Sequence, residues 1–144
     1  MRNRSARTVV TFDIEITDLN HEGQGVGRID GKTVFVRNAL VGETVTAQRT
    51  RTHKDFDEAK AVTHHHFSPE RVTPPCSHFG ICGGCQLQHL STDGQIAHKH
   101  QQLVQNLQRI AKITPERWLA PLQADTTHYR RRARLTVKYV APKN

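Results

Sequence analysis

The sequence contains no apolar run that approaches the ~20 residues needed to cross a bilayer. No apolar core of a signal peptide follows its first residues, Met1 to Ser5. These absences argue against a membrane-spanning protein and against a secreted one. We therefore expect a cytoplasmic protein, and we expect it to be a monomer.

Apolar and aromatic residues are also scarce, at 35% and 6% of the 144 residues. This content of apolar residues is low for one large hydrophobic core, so two small cores are expected. Lys and Arg outnumber Asp and Glu by 21 to 13, which gives a net charge of +8. Such a charge favours a polyanionic partner, and charge alone leaves RNA, DNA and anionic membrane open.

The chain has only three cysteines, and Cys76, Cys82 and Cys85 lie in one window with the spacing C-x5-C-x2-C. An odd number of cysteines in a reducing cytosol argues against disulfides and favours metal ligands. An iron-sulfur cluster normally takes four cysteines. Zinc is the competitor, because His89 would complete a set of three cysteines and one histidine. Spacing alone leaves both metals open.

Alternating apolar and polar residues predict five short strands, over residues 9–19, 26–29, 32–37, 43–51 and 58–64. Asp30-Gly31 predicts a tight hairpin between the second and third strands. Together these signals predict a small OB-like β-barrel. Gly23, Gly25 and Gly27 resemble a dinucleotide-binding fingerprint, but that motif must open a helix, and here a strand follows.

Two residues of the third predicted strand are candidates for RNA contact. Val34 and Val36 should face the core, which leaves Phe35 outward beside Arg37. An exposed aromatic ring next to an arginine can stack on an unpaired base, although it can equally cover a neighbouring segment. We therefore count Phe35 and Arg37 among the candidate RNA-binding residues.

After a proline-containing linker and the cysteines, Ser91 is expected to cap a helix that ends before Thr114-Pro115. Its apolar stripe comprises Ile96, Leu103, Val104, Leu107, Ile110 and Ala111. Residues 129–140 then alternate and predict a strand, whose basic face would comprise Arg130, Arg132, Arg134 and Lys138. We interpret this face as a track for RNA phosphates, with a solvated edge as the alternative.

Three segments carry a resemblance to one family. Residues 76–89, reading CSHFGICGGCQLQH, are similar to the cluster motif of the bacterial 23S rRNA 5-methyluridine methyltransferases. Residues 23–45 resemble a TRAM domain, and residues 129–135, reading YRRRARL, resemble the opening of the central RNA-binding domain of those enzymes. The pairing of TRAM with a cluster resembles the type that acts on the uracil at position 1939.

The resemblance implies three regions: a TRAM barrel over residues 8–66, a linker with the cysteine motif over 67–90, and a helix with the first strand of a truncated central domain over 91–144. It also implies that Cys76, Cys82 and Cys85 are three ligands of a [4Fe-4S] cluster whose fourth cysteine lies beyond this chain. The overall class expected is mainly β with an α+β part.

The partner implied is a single-stranded or looped segment of 23S rRNA, with no membrane partner. S-adenosylmethionine would bind in a C-terminal domain that is not part of this chain, where a catalytic cysteine adds to the uracil. We assign no catalytic residue here. The alternative is a stand-alone RNA-binding barrel with a zinc knuckle of three cysteines and one histidine, and with no catalysis.

Overall fold

The computed structural model describes residues 9–134 and 136–139. Six strands are followed by one helix, and the helix continues into a single π-helical turn. Their bounds are β1 Thr11–Glu15, β2 Asp18–Leu19, β3 Gly25–Ile29, β4 Lys32–Arg37, β5 Thr44–Thr52, β6 Phe56–His66, α1 Thr92–Asn106 and the π turn Leu107–Ala111. The chain divides after Thr114 into two compact units.

The six strands form one mainly antiparallel sheet in the order β1-β5-β6-β4-β3-β2, in which only β4 and β6 run parallel. The predicted first strand is divided, because Ile16 N–H donates to Glu43 O and Thr17 N–H donates to Val26 O, each at 2.9 Å. The chain thus stops pairing with β5 at the end of β1 and pairs with β3 from β2 onward. The predicted mainly β fold is confirmed, but the sheet has six strands rather than five, and no ladder of the described strands joins β1 to β2 to close it into a barrel.

The alternation seen in the sequence accounts for the core. Val34, Val36, Val45 and Ala47 point inward and are at most 1% exposed. The other buried members of this core are Ile14, Ile16, Ala39, Ala59 and Ala61. The predicted turn is confirmed, since Asp30 and Gly31 both have positive φ, at 49° and 80°. The predicted third strand, residues 32–37, coincides with β4.

Gly25 and Gly27 serve close packing within the sheet. A Cβ on Gly25 would lie 2.8 Å from Ile16 Cγ2, and a Cβ on Gly27 would lie 2.5 Å from Glu15 O. Only glycine lets β3 approach the corner between β1 and β2 this closely. The glycines are therefore explained by packing, in agreement with the rejection of a dinucleotide fingerprint.

Helix α1 begins where the sequence predicts. The Ser91 hydroxyl accepts a hydrogen bond from Gly94 N–H at 3.0 Å, which is an N-cap. No residue of α1 is buried, and the predicted apolar stripe is exposed at Leu103 of α1, by 51%, and at Ile110 of the π turn, by 79%. No helix in the described part of the chain combines the length and apolarity that a bilayer crossing requires.

The second unit begins at Pro115, and its described residues contain neither strand nor helix. The strand predicted over residues 129–140 is therefore absent from 129–134 and 136–139, while Leu135 and Val140 lie outside the described residues. A strand needs a neighbour for its backbone N–H and C=O groups. No ladder partner lies beside these residues in the described chain, and without one the alternation of side chains does not produce a strand.

Candidate nucleic-acid interface and cysteine loop

The three cysteines lie on one loop whose two ends are tied together. Arg71 and Leu90 form an isolated antiparallel bridge. On either side of it, Val72 N–H donates to His89 O at 2.9 Å and Ser91 N–H donates to Glu70 O at 2.8 Å. We call residues 73–88, which lie between these ties, the cysteine loop.

Within the cysteine loop the backbone makes consecutive tight turns. Phe79 N–H donates to Cys76 O at 3.1 Å, and Cys82 N–H donates to His78 O at 3.2 Å. Gly80 and Gly83 have φ values of 79° and 68°, which residues other than glycine rarely adopt. Gly84 N–H lies 3.4 Å from Cys82 Sγ and donates to it. Backbone N–H groups directed at sulfur are a common feature of sites in which cysteines hold a metal.

The donor set fits part of a cluster site. All three cysteines are exposed free thiols on the same loop. Thiolate sulfur is the ligand that iron-sulfur clusters take, and three sulfurs would fill three of four positions. Residues 9–134 and 136–139 contain no group of three Cys, His, Asp or Glu side chains already placed to hold a metal ion. Neither the three cysteines alone nor the alternative set with His89 is thus preassembled in these residues.

A buried ion pair fastens the base of the cysteine loop to the sheet. Glu43, which is 0% exposed, accepts from Arg71 Nε at 2.5 Å and from Arg71 Nη2 at 2.9 Å. It also accepts from Leu40 N–H at 2.8 Å and from Ser68 N–H at 3.2 Å. Burial raises the pKa of Glu43, but these hydrogen bonds and the Arg71 charge outweigh burial and leave the pKa below its ordinary value.

His89 lies behind the cysteine loop. It is 1% exposed, and its ring is tilted against the Phe79 ring at a centroid distance of 5.1 Å. Neither ring nitrogen has a hydrogen-bond partner among the described residues. Burial, assisted by the Arg71 charge, lowers the pKa of His89 to about 4, so the imidazole is neutral near pH 7.

The predicted surface around Phe35 contains a second aromatic residue. Phe35 is half-buried and meets Phe56 edge-on at a centroid distance of 5.3 Å, while Phe56 stacks on His53 at 4.2 Å. The sequence did not identify Phe56 or His53 as neighbours of Phe35, because β4 and β6 pair in parallel across a long connection. The three rings form an aromatic cluster on the outer side of the sheet.

A cleft of about 480 Å³ lies between this side of the sheet and the cysteine loop. Arg37 of β4 and Lys60 of β6, which are partners in the parallel ladder, both line it. The other lining residues are Glu22, Gly23, Gln24, Asn38, Phe79, Gly80, Ile81, Gly83, Cys85, Gln86 and His89. Of this set the sequence predicted Arg37 as an RNA contact and Cys85 as a metal ligand, but not Lys60 or Gln86.

The predicted basic face of the second unit is not formed as a strand face. Arg130, Arg132, Arg134 and Lys138 are exposed, and the Arg130 guanidinium lies over the Tyr129 ring at 5.7 Å. The four cations therefore remain candidates as a charged segment, which we call the basic segment.

Comparison with known proteins agrees with the geometry of the sheet. Residues 7–62 match the family model of the TRAM domain. Over these residues the chain is similar to a TRAM domain. Its observed six-stranded, mainly antiparallel sheet is the OB-like β fold that the sequence indicated, although it is not closed.

The similarity to curated proteins extends beyond the TRAM domain. The 23S rRNA (uracil(1939)-C(5))-methyltransferase RlmD of Francisella tularensis subsp. novicida is 50% identical over 134 residues, which are 92% of this chain and 30% of that protein. The protein of the same name from Stenotrophomonas maltophilia is 46% identical over 99% of this chain and 33% of its own length. The chain thus spans about a third of the length of these relatives.

A solved structure was also compared. The solution structure of a conserved protein from Methanococcus maripaludis is 35% identical and covers 36% of this chain and 74% of that chain, with a TM-score of 0.35. The family resemblance suggested by the cysteine motif and the TRAM segment is confirmed by the matches to the domain model and to the curated methyltransferases.

Proposed function

We propose that this chain is the RNA-recognition and cluster-binding part of a cytoplasmic, S-adenosylmethionine-dependent methyltransferase that forms 5-methyluridine at position 1939 of 23S rRNA. The supporting observation is the 50% identity to the RlmD enzyme over 92% of this chain, a span that includes both the TRAM domain and the cysteine loop. Methyl transfer is a proposal for the whole protein, and these residues would contribute recognition.

Cys76, Cys82 and Cys85 would supply three ligands to a [4Fe-4S] cluster. Their exposure on one loop and the Gly84 N–H directed at Cys82 Sγ support this assignment. When bound, the cluster would cross-link the loop through its sulfur atoms. The residues at the base of the loop, above all Glu43 and Arg71, join the loop to the TRAM sheet through their hydrogen bonds.

The RNA-binding part of the proposal is tested by titrating a fluorescent single-stranded segment of 23S rRNA that surrounds the uracil at position 1939 with the purified chain. A matched duplex of the same sequence is the control, since outer-face rings stack on unpaired bases only. We expect the single strand to bind more tightly, with an affinity that falls as salt rises. Absence of binding to either RNA would refute the proposal.

The metal is tested separately, by analysing iron, zinc and acid-labile sulfide after anaerobic purification of the whole protein. We expect iron and sulfide with a brown chromophore, and Cys82→Ser should reduce both. Stoichiometric zinc without sulfide would instead support the zinc site with His89 and the stand-alone binding module.

A further inference from the structure

We infer that the cleft between the TRAM sheet and the cysteine loop is a binding site for one nucleotide of single-stranded RNA, in which Arg37 and Lys60 hold a phosphate and Gln86 and His89 bind the attached base. This inference rests on the proposed RNA-binding function and deepens it. It makes the cysteine loop one wall of the RNA site.

The two cations of the cleft are arranged for an anion. Arg37 and Lys60 are Cα partners on adjacent strands, and both are exposed. Neither has a carboxylate within ion-pair distance in the described part of the chain, although Glu22 also lines the cleft. By contrast, Lys32 and Arg49 share the buried Asp57, at 2.6 and 3.0 Å. Adjacent like charges repel, and a phosphate between them would remove the repulsion.

His89 provides the second observation. It is a polar side chain, 1% exposed, that contacts the cleft and has no partner for either ring nitrogen among the described residues. Buried polar groups are usually hydrogen-bonded, because an unmade bond is costly. A neutral imidazole offers one donor and one acceptor, which suits the edge of a nucleobase. A ligand that forms hydrogen bonds with the His89 ring would remove this unfavourable free energy.

The size and lining of the cleft favour a nucleotide over a simple anion. Its volume of about 480 Å³ falls within the range of small-molecule sites. The Phe79 ring provides an apolar surface, and the exposed Gln86 side chain, which bonds no described residue, can donate and accept. Phe35 lies on the same face of β4 as Arg37, so the aromatic cluster can receive a neighbouring base of a continuous strand.

The inference is tested with three variants of the chain, Lys60→Gln, Gln86→Ala and His89→Phe, and with Lys54→Gln as a matched control on an exposed turn outside the cleft. Each is titrated with labelled single-stranded RNA at several salt concentrations. Lys60→Gln should lower the log-log salt slope by ~0.7, as expected for one lost phosphate contact to a single strand. Gln86→Ala and His89→Phe should each weaken binding by roughly fivefold, the loss of one hydrogen bond.

Thermal unfolding of the same variants separates binding from folding. His89→Phe should not lower stability, because it removes a buried polar group that lacks a partner. Uridine monophosphate and inorganic phosphate, used as competitors, distinguish a free nucleotide or a bare anion from RNA, and we expect both to compete weakly. If wild type binds RNA and all three variants bind equally well, the cleft assignment is wrong and the RNA-binding proposal survives. If wild type does not bind RNA, both the cleft assignment and the RNA-binding proposal are wrong.

Discussion

Two neighbouring regions of the first unit use polar groups in opposite ways. At the base of the cysteine loop, the Glu43 carboxylate is surrounded by donors from Arg71, Leu40 and Ser68. In the cleft above that base, Arg37 and Lys60 have no carboxylate partner and the His89 ring has no hydrogen bond in the described residues. The satisfied groups hold the loop in place, and the unsatisfied ones remain available to a ligand.

This difference separates stability from recognition. A substitution at the base of the cysteine loop should lower the free energy of unfolding, because it leaves a buried charge without its partner. A change in the cleft should leave the fold intact and alter binding only. The predictions below test the separation, beginning with the largest effect.

Glu43→Ala should lower the free energy of unfolding by about 3–5 kcal/mol, since it leaves the Arg71 charge partly buried and unpaired. Glu58→Ala is the matched control, because its ion pair with His53 is 40% exposed on the carboxylate side. That control should cost under about 1 kcal/mol. Chemical denaturation measures both. Equal losses for the two variants would show that the base of the loop is not the anchor inferred from its contacts.

The pH dependence of stability should report on His89. Its folded pKa of about 4 lies below the ordinary value of 6.5, so the unfolded chain binds more protons between these values. The contribution of neutral His89 is therefore present above pH 6.5 and is lost as pH falls toward 4. Glu43, with its lowered pKa, and His64 also face His89 through their charges.

His89→Phe should flatten the stability profile between pH 6.5 and about 5 relative to wild type, because Phe does not titrate, while Glu43 acts only at lower pH. Denaturation midpoints measured across that window provide the comparison. A variant whose profile parallels that of wild type would mean that folding does not lower the pKa of His89, so that the ring takes up a proton in the folded chain within this pH window.

The basic segment gives the smallest expected effect on the fold. Arg132→Ala combined with Arg134→Ala should lower the salt slope of RNA binding by roughly 1.4, if each cation meets one phosphate. Stability should barely change, because both side chains are exposed. RNA titrations at several salt concentrations measure the slope. An unchanged slope would place the RNA contacts outside the basic segment.

Local signals in the sequence predicted much of the first unit. The alternation of Val34 and Val36 with Phe35, the Asp30-Gly31 turn and the Ser91 cap each depend on neighbours a few residues away, and each appears in the structure. The cleft could not be predicted in this way. It depends on the parallel pairing of β4 with β6 and on the return of the chain from Arg71 to Leu90.

The strand expected over residues 129–140 was wrong, and the exposure of the helix stripe has a related cause. Alternation over residues 129–140 indicates which side chains would share one face of a strand. It does not supply a neighbouring strand to hydrogen-bond with, and the described residues of this segment do not form a strand. Likewise, an apolar stripe on α1 does not create the surface that would bury it, and Leu103 of α1 remains 51% exposed. A pattern of side chains determines which residues share a face of a helix or strand, whereas burial of that face requires another element that packs against it.

The most direct test of the account is photo-cross-linking of the chain to single-stranded 23S rRNA that carries 4-thiouridine, followed by mass spectrometry of the cross-linked peptides. The account predicts cross-links within residues 79–86 of the cysteine loop and around Phe35 of β4, which lie on either side of Arg37 and Lys60. Lys60→Gln should reduce both. Cross-links confined to residues 129–139, with none on the loop or the sheet, would contradict it.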